Sequence, residues 1–301
     1  MTPQPEYRGR FAPSPTGPLH FGSLVAALGS YLDARAQRGG WLLRMEDLDP
    51  PREQPGAADS ILRTLETLGL HWDGPVLYQH TRLEAYQAAM TGMLDSGDAF
   101  ACACTRSEIA DSGLIGLEGP VYPGTCRDGL ADRPARATRI RVDEKPVSFQ
   151  DRLQGTCSQN LEQEIGDFVI RRADGFFAYQ LAVVVDDAFQ GVTHVVRGAD
   201  LLLSTPRQIH LQHRLGLPIP IYMHLPVALS ARGEKLSKQS GAMAISDTDA
   251  GAILFRALAF LDQSPPAELA RSTPQELLEW AVPHWQPVRM NGIKTQIATF
   301  I

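Results

Sequence analysis

The stretch from residue 8 to residue 46 constrains the fold more tightly than any other part of the chain. A short apolar run, Arg8 to Ser14, is closed by Pro13 and Pro15 and reads as a buried strand feeding a loop. From Ser23 to Gln37 the residues Leu24, Ala27, Leu28, Tyr31, Leu32 and Ala34 recur at helical spacing, and Gly39-Gly40 supplies the stop. Trp41 to Glu46 then reads as a second strand. Strand, helix and strand in this order predict a right-handed βαβ unit of the nucleotide-binding kind. Glu46, Asp47 and Asp49 fall at its carboxyl end, where ligands of open parallel sheets sit.

The turn into that helix carries chemistry. Three prolines, Pro13, Pro15 and Pro18, together with Gly17, stiffen the approach to His20-Phe21-Gly22-Ser23. A His-x-Gly turn at a helix start offers backbone N–H groups and an imidazole to phosphate, and Gly22 leaves room for a nucleotide against the backbone. Far downstream, Lys235-Leu236-Ser237-Lys238-Gln239 brings two ammonium groups suited to the same anion. The pair predicts a site that splits ATP.

The remaining segments complete an α/β chain. Helices are expected near Ala57 to Leu70 and Arg82 to Gly97. Residues 100 to 165 turn rich in glycine and proline and read as an antiparallel insertion. Phe168 to Arg172 and Leu181 to Asp187 read as sheet-forming, Thr193 to Gly198 as a strand turning into a helix over Thr205 to Leu215, and residues 246 to 301 as helical, over Ala252 to Leu261 and Pro274 to Ala281. The expected organisation is a catalytic first half over 1–99, an insertion over 100–165, a second half over 166–245 and a helical segment over 246–301. The expected fold is thus a Rossmann-like parallel-sheet nucleotide-binding domain with a zinc-containing insertion and a small helical C-terminal segment.

With 301 residues the chain can hold one large domain with an insertion, or two domains. The net charge of −6 excludes a polycationic surface, so a nucleic-acid partner needs a local basic patch. Arg133, Arg136, Arg139 and Arg141 offer one, although pairing with Asp132, Asp143 and Glu144 would explain them equally. No apolar run approaches the roughly 20 residues that span a bilayer, so no membrane attachment and a cytoplasmic location are expected. A monomer is expected. Four cysteines, three of them between Cys102 and Cys126, suit reduced thiols or a metal better than a disulfide scaffold. Cys102, Cys104 and Cys126 offer three thiolates to a tetrahedral zinc ion. No histidine lies between His80 and His194, so the fourth ligand is an oxygen or Cys157.

The two phosphate-binding stretches resemble the signatures of class I aminoacyl-tRNA synthetases, with His20-Phe21-Gly22-Ser23 in the first place and Lys235 to Gln239 in the second. Gln239 replaces the usual serine and leaves both lysines in place. Arg10 to His20, Arg44-Met45-Glu46-Asp47-Leu48-Asp49, Val184-Val185-Asp186-Asp187 and Gly191 to Gly198 are similar to the glutamyl subgroup. The resemblance implies ATP with Mg2+ and L-glutamate as substrates. It places His20, Gly22, Ser23, Lys235 and Lys238 on the nucleotide and assigns His20, Gly22, Lys235 and Lys238 to the activation step. It places Arg10, Tyr179 and Arg197 around the glutamate side-chain carboxylate, and Ala12, Ser14 and Glu46 around the α-amino group. Tyr179 as a core aromatic and Glu46 as the partner of Arg44 are the alternatives. For the metal the resemblance points to Tyr122 as fourth ligand; Glu108, Glu118 and Asp128 stay open.

Only about 60 residues follow Lys238, where glutamyl-tRNA synthetases carry a large anticodon-binding portion. With Cys102-Ala103-Cys104, Tyr122 to Cys126 and Lys235 to Gln239 beside it, the chain resembles the truncated branch of the family, the glutamyl-queuosine tRNA(Asp) synthetases. That resemblance implies transfer of glutamate to the cyclopentene diol of queuosine in the anticodon of tRNA(Asp). A truncated glutamyl-tRNA synthetase charging a 3′ end, a non-catalytic RNA-binding paralogue and a small-molecule ligase are the alternatives.

Overall fold

A computed structural model of the protein describes residues 6–236, 245 and 249–298. The expected βαβ unit is present as β1 (Arg8–Phe11), α1 (Phe21–Ala36) and β2 (Gly40–Met45), with β1 parallel to β2 and Arg10 opposite Leu42. After α2 (Ala57–Thr67), β3 (Leu77–Tyr78) adds to β2 in parallel, and α3 (Leu83–Asp95) follows.

The chain then leaves the sheet. Strands β4 (Ala99–Cys102), β7 (Ala137–Ile140) and β10 (Val169–Arg171) form an antiparallel sheet in the order β10-β7-β4. Between them lie the short helix α4 (Arg106–Ala110), started by a Thr105–Glu108 capping box, and the two-residue strands β5 (Ile115–Gly116) and β6 (Gly119–Pro120). Strands β8 (Val147–Asp151) and β9 (Gly155–Gln159) form a hairpin, followed by the single turn α5 (Leu161–Glu164).

Helix α6 (Tyr179–Phe189) leads into β11 (His194–Gly198), α7 (Thr205–Leu215), β12 (Ile221–Leu225) and β13 (Val227–Leu229). β11 and β12 are parallel, and β12 meets β8 in parallel at Tyr222 and Asp151. A hydrogen bond from the Thr193 N–H to the Arg8 carbonyl (2.9 Å) joins β11 to the free edge of β1. The two parallel sets thus abut with chain order reversing at β1, the topological switch point at which α/β sheets bind ligands. The C-terminal helices α8 (Ala250–Phe260) and α9 (Pro274–His284) cover α1, and β14 (Thr295–Ile297) pairs with β13.

Two features fix α1 on the sheet. At Gly29 a Cβ would stand 2.4 Å from Leu225 Cδ1, so any larger residue there would have to displace that buried side chain. The buried Asp33 carboxylate accepts from Tyr7 Oη (2.6 Å), Arg152 Nη2 (3.0 Å) and Trp285 Nε1 (3.0 Å), tying the first strand, the hairpin and the C-terminal segment to one helix.

Leu181 to Asp187 corrects the sequence reading: the stretch lies inside α6, not in a strand. Leu181, Ala182, Val183, Val184, Asp186 and Asp187 are all buried, because α6 packs between α3 and α7. A helix covered on most sides has the same unbroken apolar run as a buried strand, and tertiary packing overrides the β preference of three consecutive valines. Among the described residues no helix is long and apolar enough to cross a membrane.

Candidate active site

The carboxyl ends of β1, β2, β11 and β12 open into a cavity of about 820 Å³. The turn after β1 contributes Ala12 and Ser14 beside Arg10; the start of α1 contributes His20, Gly22 and Ser23. Glu46 follows β2, Tyr179 begins α6, Arg197 ends β11, and Lys235 enters from beyond β13. The residues expected at glutamate and ATP therefore share one cavity, except Lys238, which lies outside the described residues.

The two distant signatures meet by direct packing. At Gly22 a Cβ would stand 2.9 Å from the Leu236 carbonyl, so the His-x-Gly turn needs glycine to admit the second segment. The Ile245 N–H donates to the Leu19 carbonyl (3.1 Å), and Lys235 Nζ reaches Asp200 Oδ2 (2.7 Å). His20 is the N-cap of α1: its Nδ1 accepts from the Ser23 N–H (3.2 Å) and its Nε2 lies 3.0 Å from Ser23 Oγ. One of the amides expected to face a phosphate is thus already engaged by the imidazole.

Four charged groups form a buried floor. Arg10 Nε and Arg44 Nη1 both donate to Asp187 Oδ1, at 3.1 and 2.8 Å, and Arg44 Nη2 reaches Glu46 Oε1 at 3.3 Å. Gln190 Oε1 accepts from Arg44 Nη1 (2.8 Å). Burial alone would raise the Asp187 pKa, but the guanidiniums of Arg10 and Arg44 together outweigh it and hold the carboxyl below its ordinary value. Burial raises the Glu46 pKa and the same two arginines only partly offset this. Glu46 pairs with Arg44 and lines the cavity as well, so both sequence readings of it are present in one side chain.

Arg197 is different: among the described residues no carboxylate forms an ion pair with it. Its Nε donates to His224 Nε2 (3.1 Å), and its Nη2 to Thr205 Oγ1 (2.8 Å) and the Leu201 carbonyl (3.4 Å). Nη1 is buried and has no hydrogen-bond partner among the described residues. A buried guanidinium with two idle N–H groups beside a cavity is a receptor for an anion, because an unpaired buried charge costs several kcal/mol. Tyr179 stands beside it as a neutral phenol, its pKa raised by burial.

Residues 6–260 match the family described as class I tRNA synthetases (E and Q), catalytic domain. A protein of Dechloromonas aromatica named glutamyl-Q tRNA(Asp) synthetase is 62% identical over 93% of this chain and 94% of its own length. The protein of the same name from Chromobacterium violaceum is 60% identical, over 94% and 95%. The chain belongs to the glutamyl-Q tRNA(Asp) synthetases, within the class I tRNA synthetase family. Among solved structures, a glutamate tRNA ligase from Elizabethkingia meningosepticum in complex with its amino acid superposes with a TM-score of 0.80, at 24% identity over 98% of this chain and 67% of that one, which shows the shared fold.

As a synthetase of this family the chain is an enzyme, and its insertion holds a cysteine cluster. The sulfurs of Cys102, Cys104 and Cys126 all lie within 4.8 Å of one another, with Cys104 and Cys126 3.6 Å apart. Ligands about 2.3 Å from a tetrahedral zinc stand roughly 3.8 Å from each other, so the set fits such an ion. Tyr122 Oη lies 3.6 Å from Cys102 Sγ and accepts from the Cys126 N–H (2.8 Å), so the phenol sits beside the three sulfurs. Of the other candidates, Glu108 caps α4 and pairs with Arg133, Glu118 pairs with Arg207, Cys157 sits on β9, and Asp128 is exposed.

Part of the basic stripe is engaged in and around this cluster, while Arg133 and Arg136 stay exposed. Arg139 stacks 4.0 Å over the Tyr122 ring, and its Nε lies 3.3 Å from Cys102 Sγ. Arg141 donates to the Gly97 and Arg127 carbonyls, and Arg133 to the Ala103 carbonyl and Glu108. These partners are mostly backbone oxygens across turns, which strand periodicity does not reveal.

Sequence reasoning missed Thr205, His224 and Asp151, and named Arg44 only as a partner for Glu46. Arg44 had a signal, since it shares a face of β2 with Glu46 by the two-residue period. Single buried polar residues such as His224 and Asp151 carry none.

Proposed function

We propose that this chain activates L-glutamate with ATP and transfers the glutamyl group to the cyclopentene diol of queuosine in the anticodon of tRNA(Asp). An oxygen of the glutamate α-carboxylate attacks the α-phosphorus and pyrophosphate leaves. A diol hydroxyl then attacks the acyl carbon, AMP leaves, and an ester remains. Arg197, Arg10 and Tyr179 take the side-chain carboxylate, while Glu46, Ser14 and the Ala12 backbone take the α-ammonium. His20, Gly22, Ser23, Lys235 and Lys238 hold the triphosphate, and Mg2+ carried by ATP supplies further neutralising charge. Cys102, Cys104, Cys126 and Tyr122 hold a structural zinc.

One observation carries this reading: the buried Arg197 guanidinium, with Nη1 unpartnered among the described residues, lines the same cavity as the His-x-Gly turn. The acceptor is supported by the name the relatives carry. Incubation with ATP, labelled glutamate and tRNA from cells with and without queuosine tests it. Label that requires queuosine is the expected result; label on unmodified tRNA 3′ ends would contradict it.

Glu46→Gln separates binding from stability. Burial disfavours the ionised carboxylate in the fold, so its raised pKa means that stability is lost as pH rises from the unfolded value through the folded one. At pH 7 the Glu46→Gln protein is expected to melt no lower than wild type, while its KM for glutamate rises about tenfold or more for loss of a charged partner. A lower melting point with unchanged KM would contradict the assignment.

Elemental analysis is expected to find one zinc per chain. Cys104→Ser is expected to lower zinc content and thermal midpoint with little change in KM for glutamate, because the cluster lies apart from the cavity walls. Full stability in a chelator would count against the zinc.

A further inference from the structure

The Arg197 guanidinium has five N–H groups, and among the described residues three find partners. The two on Nη1 are the ones left over, and which edge is left over depends on what grips the others. Thr205 Oγ1 and the Leu201 carbonyl hold Nη2, and His224 Nε2 holds Nε. The last of these bonds exists only if Nε2 bears a lone pair.

The proton of the imidazole must therefore sit on Nδ1. Asp151 Oδ2 lies 2.6 Å from Nδ1 and can only accept, which selects that tautomer. Asp151 is itself fixed, because its Oδ1 accepts from the Leu153 N–H (3.0 Å), the Gln154 N–H (2.9 Å) and the His224 N–H (3.3 Å). Both side chains are fully buried. Burial pushes the His224 pKa down to about 4, so the ring is neutral at working pH and adds no charge against Arg197.

We infer that Asp151 and His224 are positioning residues: Asp151 fixes the His224 tautomer, and His224 turns the Arg197 guanidinium so that Nη1 faces the amino-acid carboxylate. The inference rests on the proposed glutamate reading and extends it to two residues that do not line the cavity. Without the His224 acceptor, Arg197 keeps its charge and loses its orientation. The defect then falls on carboxylate recognition rather than on ATP.

A purely structural role makes a different forecast. Asp151 and His224 also link β8 to β12, so a structural role needs only the Nδ1 bond. His224→Asn places an amide near the Nδ1 position and can keep the bond to Asp151, but it withdraws the acceptor from Arg197. His224→Gln reaches the Nε2 position and can present a carbonyl oxygen to Arg197. Asp151→Asn offers a donor to Nδ1, shifts the proton to Nε2 and turns donor against donor at Arg197.

Glutamate-dependent exchange of pyrophosphate into ATP, measured with thermal melting on all three variants, decides between them. Expected is a KM for glutamate raised about tenfold or more in His224→Asn and Asp151→Asn, with kcat and the KM for ATP within about threefold of wild type and most of the KM restored in His224→Gln. An unchanged KM in His224→Asn, or equal defects in kcat and both KM values, would overturn the assignment; if His224→Gln does not fold, Asp151→Asn decides on the same readouts. Wild-type enzyme that exchanges pyrophosphate without any need for glutamate would instead overturn the reading on which this one rests.

Discussion

Arg197→Leu is expected to lose nearly all glutamate-dependent pyrophosphate exchange while still binding ATP. The substitution leaves the incoming side-chain carboxylate without its partner in a dehydrated cavity, at a cost of about 3–5 kcal/mol. That corresponds to a fall in kcat/KM for glutamate on the order of 10²- to 10⁴-fold. Arg197→Lys is expected to recover only part, because an ammonium cannot satisfy His224, Thr205 and a carboxylate with one planar fork. Exchange within about threefold of wild type in Arg197→Leu would show that some other group binds the carboxylate.

Asp187→Asn is expected to damage the fold rather than one substrate constant. Arg10 and Arg44 converge on this carboxylate, and with Glu46 the four groups are neutral as a set. Asp187 is the carboxylate that both guanidiniums share and hold ionised, whereas at Glu46 burial outweighs them, so Asp187→Asn leaves Arg10 and Arg44 without their common acceptor and is expected to cost about 3–5 kcal/mol, read as a lower urea midpoint at neutral pH. The pH dependence has a definite sign. The folded carboxyl titrates below its ordinary value, so its contribution is present above roughly pH 4 and fades as pH falls further. The gap between wild type and Asp187→Asn should therefore narrow in acid; a gap that widens would place the stabilisation elsewhere.

Much of the site was legible because its chemistry is local in sequence. A strand, a proline-stiffened turn and a capped helix can be read from the neighbouring residues around His20, and the structure places that turn at the cavity as expected. Cys102, Cys104 and Cys126 are likewise close enough in the chain to suggest one ion. What stayed hidden depends on contacts between distant segments. The valines of α6 look like a strand until α3 and α7 are seen to cover them. The partners of Arg133, Arg139 and Arg141, which include carbonyls, a thiol, an aromatic ring and Glu108, lie across turns and could not be read from the spacing of the stripe. His224 is one histidine among eight, and only its place between Asp151 and Arg197 gives it meaning.

The most direct test is a crystal structure with a non-hydrolysable glutamyl-adenylate analogue. The expected result is the side-chain carboxylate on Nη1 of Arg197 within hydrogen-bonding distance, with the phosphate group beside His20 and Gly22. A carboxylate bound away from Arg197, with Nη1 still unpartnered, would contradict the account.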